Sequence, residues 1–71
     1  MAKGRISQLM AHRGFGIIQE DDQQEELIFH WSAVSAGTLE QLRVGQRVEF
    51  QKEPDPRDPG RNKAVNVRLM P

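Results

Sequence analysis

The residues best suited to chemistry in this sequence are aromatic rings and cations, and the chemistry they suggest is stacking. Phe15 lies between Gly14 and Gly16 in a stretch, HRGFGII, that otherwise suits a β-strand. Glycine inside a strand weakens it and supplies nothing to pack. We interpret the two glycines as keeping the backbone beside Phe15 free of bulk, so that a flat ligand such as a nucleobase can lie on the ring. Arg13 is placed to reach a phosphate.

A two-residue period extends this interpretation to a surface. Phe15 and Ile17 share one face of their strand, and across a hairpin Ile28 and His30 share one face of the next, with Trp31 following. Such an exposed apolar patch around a ring usually marks a binding surface. The opposite face supplies a predicted core set, namely Ile18, Leu27 and Phe29.

Five short runs of alternating apolar and polar residues, separated by turn signals, predict the strands that position this surface. In the first run, Ile6 is the residue most clearly expected to face inward. In the fourth run, Val48 and Phe50 are expected to lie on the same face. Closing five strands into a barrel removes the unpaired edges of a small open sheet. The runs cover about residues 4–10, 14–19, 26–30, 47–52 and 63–70.

Two connections are predicted to be loops. The segment 31–45 is expected to hold a turn or two of helix, with Thr38 and Gln41 as a weak capping pair and Gly45 at its end. Three prolines in 53–60 remove backbone donors and favour extended structure.

Length and composition predict one small domain, residues 1–71, without a disulfide because the chain has no cysteine. His12 and His30 cannot form a structural zinc site without cysteine partners, and we expect no metal and no cofactor. No apolar run approaches the ~20 residues of a membrane span, and the N-terminus does not resemble a signal peptide. We expect a soluble, cytoplasmic monomer.

The net charge of zero hides a polarised distribution. Five of the ten acidic residues lie in EDDQQEE, residues 20–26, so the rest of the chain carries ten basic against five acidic residues, a net charge of +5. The acidic stretch lacks the glycine and the spacing of a calcium loop, and we interpret it as a solvated hairpin tip. It would repel phosphate, so a bound strand should avoid that end.

Several ordered motifs resemble the cold-shock domain family. RGFGII is similar to the family's first ribonucleoprotein motif, K-G-F-G-[FY]-I, and LIFH followed by WSAV is similar to the second, V-F-V-H-F-S-A-I. The resemblance continues in the family's order along nearly the whole chain, through the segments KGRI, LRVGQRVEF and KAVNV. The resemblance implies an all-β, five-stranded antiparallel OB-type Greek-key barrel. It also implies a partner, single-stranded RNA or DNA bound through strands two and three, and an RNA-chaperone role.

The resemblance assigns roles to particular positions. It implies stacking by Phe15 and His30, with Trp31 as a further exposed aromatic. It also implies cationic contacts from Arg13, and from Arg61 and Lys63 at the rim. The candidate nucleic-acid interface therefore comprises Gln8, Arg13, Phe15, Ile17, Ile28, His30, Trp31, Arg61 and Lys63.

The departures from the family pattern predict weaker binding. Gln8 and Leu9 stand where the family has a tryptophan–phenylalanine pair. Ile17 and Ile28 each replace an aromatic residue, and Leu39 stands where many members have a loop aromatic. An isoleucine can touch a base but has no π face, so more of the binding should be electrostatic and sensitive to salt.

Other interpretations stay open at this point. Phe15 can be an ordinary core residue and Trp31 can cap the barrel. Arg57, Arg61 and Lys63 can contact phosphates or simply solvate a loop. A protein-interaction module on the same barrel would use an apolar surface of Ile17, Ile28, Leu39 and Trp31. An RNA-recognition motif is set aside because its motif order is reversed here and its helices are missing. An enzyme is not expected, since no Ser–His–Asp pattern or phosphate-cradling glycine loop is present.

Overall fold

The computed structural model describes residues 1–22, 25–34 and 41–70, and five strands within them form a closed barrel. Short 3-10 turns follow the first strand, at Ala11–Arg13, and the third, at Trp31–Ala33. The predicted all-β, five-stranded fold is confirmed, with strand ends shifted by no more than two residues. The strands are β1 (Ala2–Met10), β2 (Phe15–Glu20), β3 (Glu26–His30), β4 (Arg47–Pro54) and β5 (Asn62–Leu69).

The barrel has the strand order β1-β2-β3-β5-β4 and closes through the β1–β4 pair. Four of the neighbouring pairs are antiparallel, as expected, but β3 and β5 run parallel, with Ile28 opposite Lys63. A ring of five strands cannot alternate in direction throughout because five is an odd number. One parallel contact is therefore required, and it falls between β3 and β5.

Alternate residues of the strands build the barrel interior. The predicted core set is confirmed, because Ile18, Leu27 and Phe29 have no exposed surface. Burying a large apolar side chain of this kind contributes roughly 1.5–3 kcal/mol each. Leu42, from the segment before β4, joins the core without having been predicted. The buried apolar residues are Ile6, Ile18, Leu27, Phe29, Leu42, Val48, Phe50, Ala64 and Val67.

Two irregularities interrupt the simple alternation. In β1 the pairing with β2 shifts between Ile6 and Gln8, so Ser7 is an extra residue of a β-bulge. In β5, Asn66 has a positive φ of 53°, a conformation that asparagine tolerates better than most residues. The second irregularity lets Ala64 and Val67 both face inward although they are three positions apart.

The long connection before β4 is described only in part. Thr38 of the predicted capping pair and Leu39 of the predicted apolar surface lie in 35–40, outside the described residues. Gly45 has a positive φ of 94° and its amide donates to the Ile6 carbonyl at 2.7 Å, which ties this turn to β1. Within the described ranges, no helix has the length and apolar character needed to cross a membrane.

Candidate nucleic-acid interface

An aromatic row crosses the outer face of three strands. Phe15 in β2 lies opposite His30 in β3 and opposite Met10 in β1, and all three side chains are partly exposed. The Phe15 and His30 ring centroids are 6.3 Å apart and the rings are inclined by 54°. The rings do not stack on each other, so a face of each remains available. The predicted outward position of Phe15 is confirmed.

An isoleucine row runs beside the aromatic row, two residues later in β2 and two residues earlier in β1 and β3. Ile17 lies opposite both Ile28 in β3 and Gln8 in β1, and Lys63 in β5 lies opposite Ile28. Both isoleucines are partly exposed. Cross-strand partners share a face of the sheet, so four predicted site residues lie together in this row.

The two glycines beside Phe15 serve the backbone and the core. Gly14 ends the turn after β1 with a φ of 77°, a conformation that disfavours residues with a Cβ. At Gly16, a Cβ would lie 2.7 Å from the Phe29 ring and 2.8 Å from the Gln8 carbonyl oxygen. The interpretation that both glycines clear space for a ligand is therefore wrong for Gly16, which faces inward and makes room for a buried phenylalanine.

Trp31 connects the aromatic row to the core. Its backbone amide donates to the Gly14 carbonyl at 2.9 Å, which holds the end of β3 against the turn that precedes Phe15. Its ring centroid lies 5.7 Å from that of Phe29, and the side chain packs against the core while remaining partly exposed. Trp31 thus caps the barrel beside the aromatic row.

The predicted cations fall into two groups. Arg13 is exposed in the turn before Phe15, and Lys63 lies partly buried at the end of the isoleucine row. Arg61 is more remote from the aromatic row, and its Nε lies 3.4 Å from an Asp58 carboxylate oxygen.

A cleft of about 250 Å³ opens beside the isoleucine row. Ile17 and Ile28 form its apolar part, and Arg61 contributes a cation. Its remaining charged side chains are three acids, namely Glu26 at the start of β3 and Asp55 and Asp58 in the connection between β4 and β5.

Part of the acidic stretch is buried and paired, which corrects its interpretation as a solvated tip. Glu20 follows the inward alternation of β2 and is only 7% exposed. Lys52 donates to its carboxylate at 3.1 Å and lies 3.7 Å from Glu25, while Arg47 pairs with Asp21. The hydrogen bond to Glu20 raises the pKa of Lys52 above its ordinary value of 10.5; lost hydration opposes the shift, and both acids' charges reinforce it.

Met10 is the face residue that sequence reasoning missed. It lies opposite Phe15 and completes the aromatic row on the β1 side. Its position shares the two-residue period of Gln8, so the alternation after the bulge carried the signal. A flexible, polarizable thioether at the edge of an aromatic site can contact a ring.

Comparison with known proteins places these features in a family. Residues 2–70 match the family described as the 'Cold-shock' DNA-binding domain. The chain is 35% identical to a probable cold shock protein of Sinorhizobium fredii, over 96% of this chain and 97% of that protein. It is 35% identical to a cold shock-like protein of Stigmatella aurantiaca along the full length of both. It is 38% identical to glycine-rich protein 2 of Nicotiana sylvestris, over 93% of this chain and 30% of that protein.

Proposed function

Because this chain belongs to the cold-shock domain family of nucleic-acid-binding modules, we propose that it binds single-stranded RNA or DNA on the outer face of β1, β2 and β3. The observation that carries the proposal is the outward position of the Phe15 and His30 rings on adjacent strands. The rings are inclined to each other, so each can take its own base.

Stacking and phosphate contacts share the binding in this proposal. A base on Phe15 or His30 contributes about 1–3 kcal/mol by stacking, and Trp31 offers the exposed part of its ring beside them. Arg13 and Lys63 lie on either side of this stretch of the face, where cations can hold successive phosphates.

We propose that the affinity is lower than that of a family member with the full set of aromatic residues. Gln8, Ile17 and Ile28 occupy positions on the face without offering a π surface. Losing three stacking platforms at even ~1 kcal/mol each reduces the affinity by roughly a hundredfold. The remaining binding then has a larger electrostatic share and weakens steeply as salt is raised.

The decisive experiment measures the affinity for short oligopyrimidine RNA and DNA, wild type against Phe15→Ala. Trp31 is the single tryptophan and reports the titration by its fluorescence. We expect Phe15→Ala to weaken binding by about 5- to 100-fold. Val44→Ala is the matched control, because Val44 is a large apolar side chain that is 62% exposed outside both rows. Equal affinities for wild type and Phe15→Ala would remove the proposal.

A second candidate is a protein-interaction module on the same face, and the apolar isoleucine row is the observation that favours it. Amide spectra with added oligonucleotide separate the two functions. Shifts confined to residues 13–17 and 28–31 support nucleic-acid binding, whereas an unshifted spectrum of the folded protein supports the protein partner.

The wider role follows from the same chemistry. A bound single strand cannot re-form its duplex, so weak, reversible binding of this type would keep RNA unpaired, as an RNA chaperone does. We propose a cytoplasmic monomer that acts by binding and is not an enzyme. Static light scattering at several protein concentrations tests the monomer, and a mass that rises with concentration would contradict it.

A further inference from the structure

Acidic side chains from the start of β3 and from the connection between β4 and β5 border the same cleft at one end of the binding face. Glu26 begins β3, whereas Asp55 and Asp58 belong to the connection between β4 and β5, yet all three border the cleft beside the isoleucine row. Arg61 borders it too, but its guanidinium is already paired with Asp58. The cleft therefore carries three carboxylates and one cation, a net charge of −2, and it lies next to Lys63 at the end of the isoleucine row.

The aromatic row has the opposite electrostatic character. Its own residues are uncharged or basic, and the exposed Arg13 lies beside it. Successive rows on a strand are about 7 Å apart, and charges are screened over about 8 Å at physiological salt. The carboxylates therefore repel a phosphate that passes beyond Lys63 and the isoleucine row more strongly than they repel one at the aromatic row. Arg5 reaches the next row from β1, opposite Gln19, but does not border the cleft.

We propose that this charge pattern divides the face, so that a single strand occupies the aromatic row and ends at the isoleucine row. Glu26, Asp55 and Asp58 set that limit by repelling the next phosphate. The footprint is then about three nucleotides, below the range of about 4–16 for OB folds. The inference rests on the proposed function and specifies the length of its ligand.

Two of the three acids can be neutralised with little structural cost. Asp55 accepts a hydrogen bond from the Arg57 amide at 2.9 Å through one side-chain oxygen, and asparagine keeps that oxygen. Asp58 and Arg61 form an ion pair whose side chains are 57% and 72% exposed, and such surface pairs contribute little to stability. Asp55→Asn/Asp58→Asn therefore removes two of the three repelling charges while preserving the loop.

The experiment compares a thymidylate trimer with a heptamer by Trp31 fluorescence at one salt concentration. For wild type we expect the heptamer to bind no more than about fivefold tighter, which is the number of positions that a three-nucleotide site finds along it. In Asp55→Asn/Asp58→Asn the heptamer should gain about a further fivefold while the trimer is unchanged. Asp21→Asn/Glu49→Gln makes the same charge change near Arg47 and Arg68 and should not alter the ratio.

Each outcome has a defined meaning. A wild-type preference of thirtyfold or more for the heptamer, or equal gains for both oligomers in the cleft variant, overturns the division while leaving nucleic-acid binding in place. Failure of the wild type to bind either oligomer instead removes the proposed function. Amide mapping of the wild type with the heptamer needs no variant: shifts confined to 13–17 and 28–31 support the division, and added shifts at 26 and 55–61 overturn it.

Discussion

The two faces of the β2–β3 hairpin are built from alternate residues of the same strands, and they follow opposite rules. The inner face places Gly16 against the fully buried Phe29, at a distance that leaves no room for a methyl group. The outer face holds Phe15 and His30 partly exposed, with no ring covering them. The same two strands therefore pack closely on the inner face and keep their rings partly accessible on the outer face.

The sharpest way to break this comparison is to truncate one phenylalanine on each face. Phe29→Ala should lower the free energy of unfolding by about 3–5 kcal/mol, because it empties the centre of a small core. Phe15→Ala should lower it by no more than about 1 kcal/mol, because its ring is already partly hydrated. Urea unfolding measures both values. Similar losses for the two variants would show that Phe15 is a core residue as well.

Gly16→Ala tests whether the inner face tolerates one extra methyl group. The new Cβ would clash with the Phe29 ring and with the backbone oxygen of Gln8, so we expect a loss of about 1–3 kcal/mol in unfolding free energy.

The double variant Gly16→Ala/Phe29→Leu provides the control in a double-mutant cycle. The smaller side chain relieves part of the clash, so the combined loss should be less than the sum of the single losses. Strict additivity would mean that Gly16 and Phe29 do not constrain each other.

A further variant adds an aromatic ring to the outer face and should strengthen binding there. Ile28→Phe adds a π surface to the isoleucine row at a partly exposed position and should tighten single-strand binding about fivefold, or about 1 kcal/mol. Val44→Phe adds the same ring outside both rows and should leave the affinity unchanged. Equal gains in the two variants would indicate general hydrophobic attraction, with no contribution specific to the row.

The smallest expected effect lies where the inner face of β2 ends, at Glu20 and Lys52. Because the pKa of Lys52 is raised in the folded state, its contribution is fully present below 10.5 and is lost as the pH rises through the raised value. The melting temperature of the wild type should therefore fall at alkaline pH, and this fall should be absent in Lys52→Met. Lys3→Met, which replaces an exposed lysine, should retain the loss, and a variant series with identical alkaline profiles would contradict the assignment.

The strands and the division into two faces were predictable because alternation is a local property of the sequence. Ile18, Leu27 and Phe29 face inward and Phe15 faces outward, as the two-residue period indicates. The role of Gly16 was not predictable in this way. It depends on Phe29 lying directly opposite in β3, and register across a hairpin is set by both strands and their connection.

Other features near the candidate site that the sequence did not reveal also depend on how distant segments pair. Met10 joins the aromatic row only after the bulge at Ser7 has reset the pairing of β1 with β2. Glu20 takes an inward position of β2, and its partner Lys52 comes from a strand 32 positions later. The acids of the cleft come together only when the β4–β5 connection folds over β3. Contacts between distant segments leave no periodic signature in the sequence.

The parallel contact between β3 and β5 gives the barrel a seam. Among the described residues, its strand ladder is the pair Ile28 with Lys63, and a parallel bridge between Val34 and Val67 follows it. Each antiparallel neighbour pair has at least four residue pairs. Ile28 and Lys63 both belong to the candidate interface, so local opening of the barrel at this short ladder would also separate two parts of the interface. A nucleic acid that contacts Ile28 and Lys63 would hold β3 and β5 together. Because it binds only the folded barrel, it would raise the melting temperature of the whole protein.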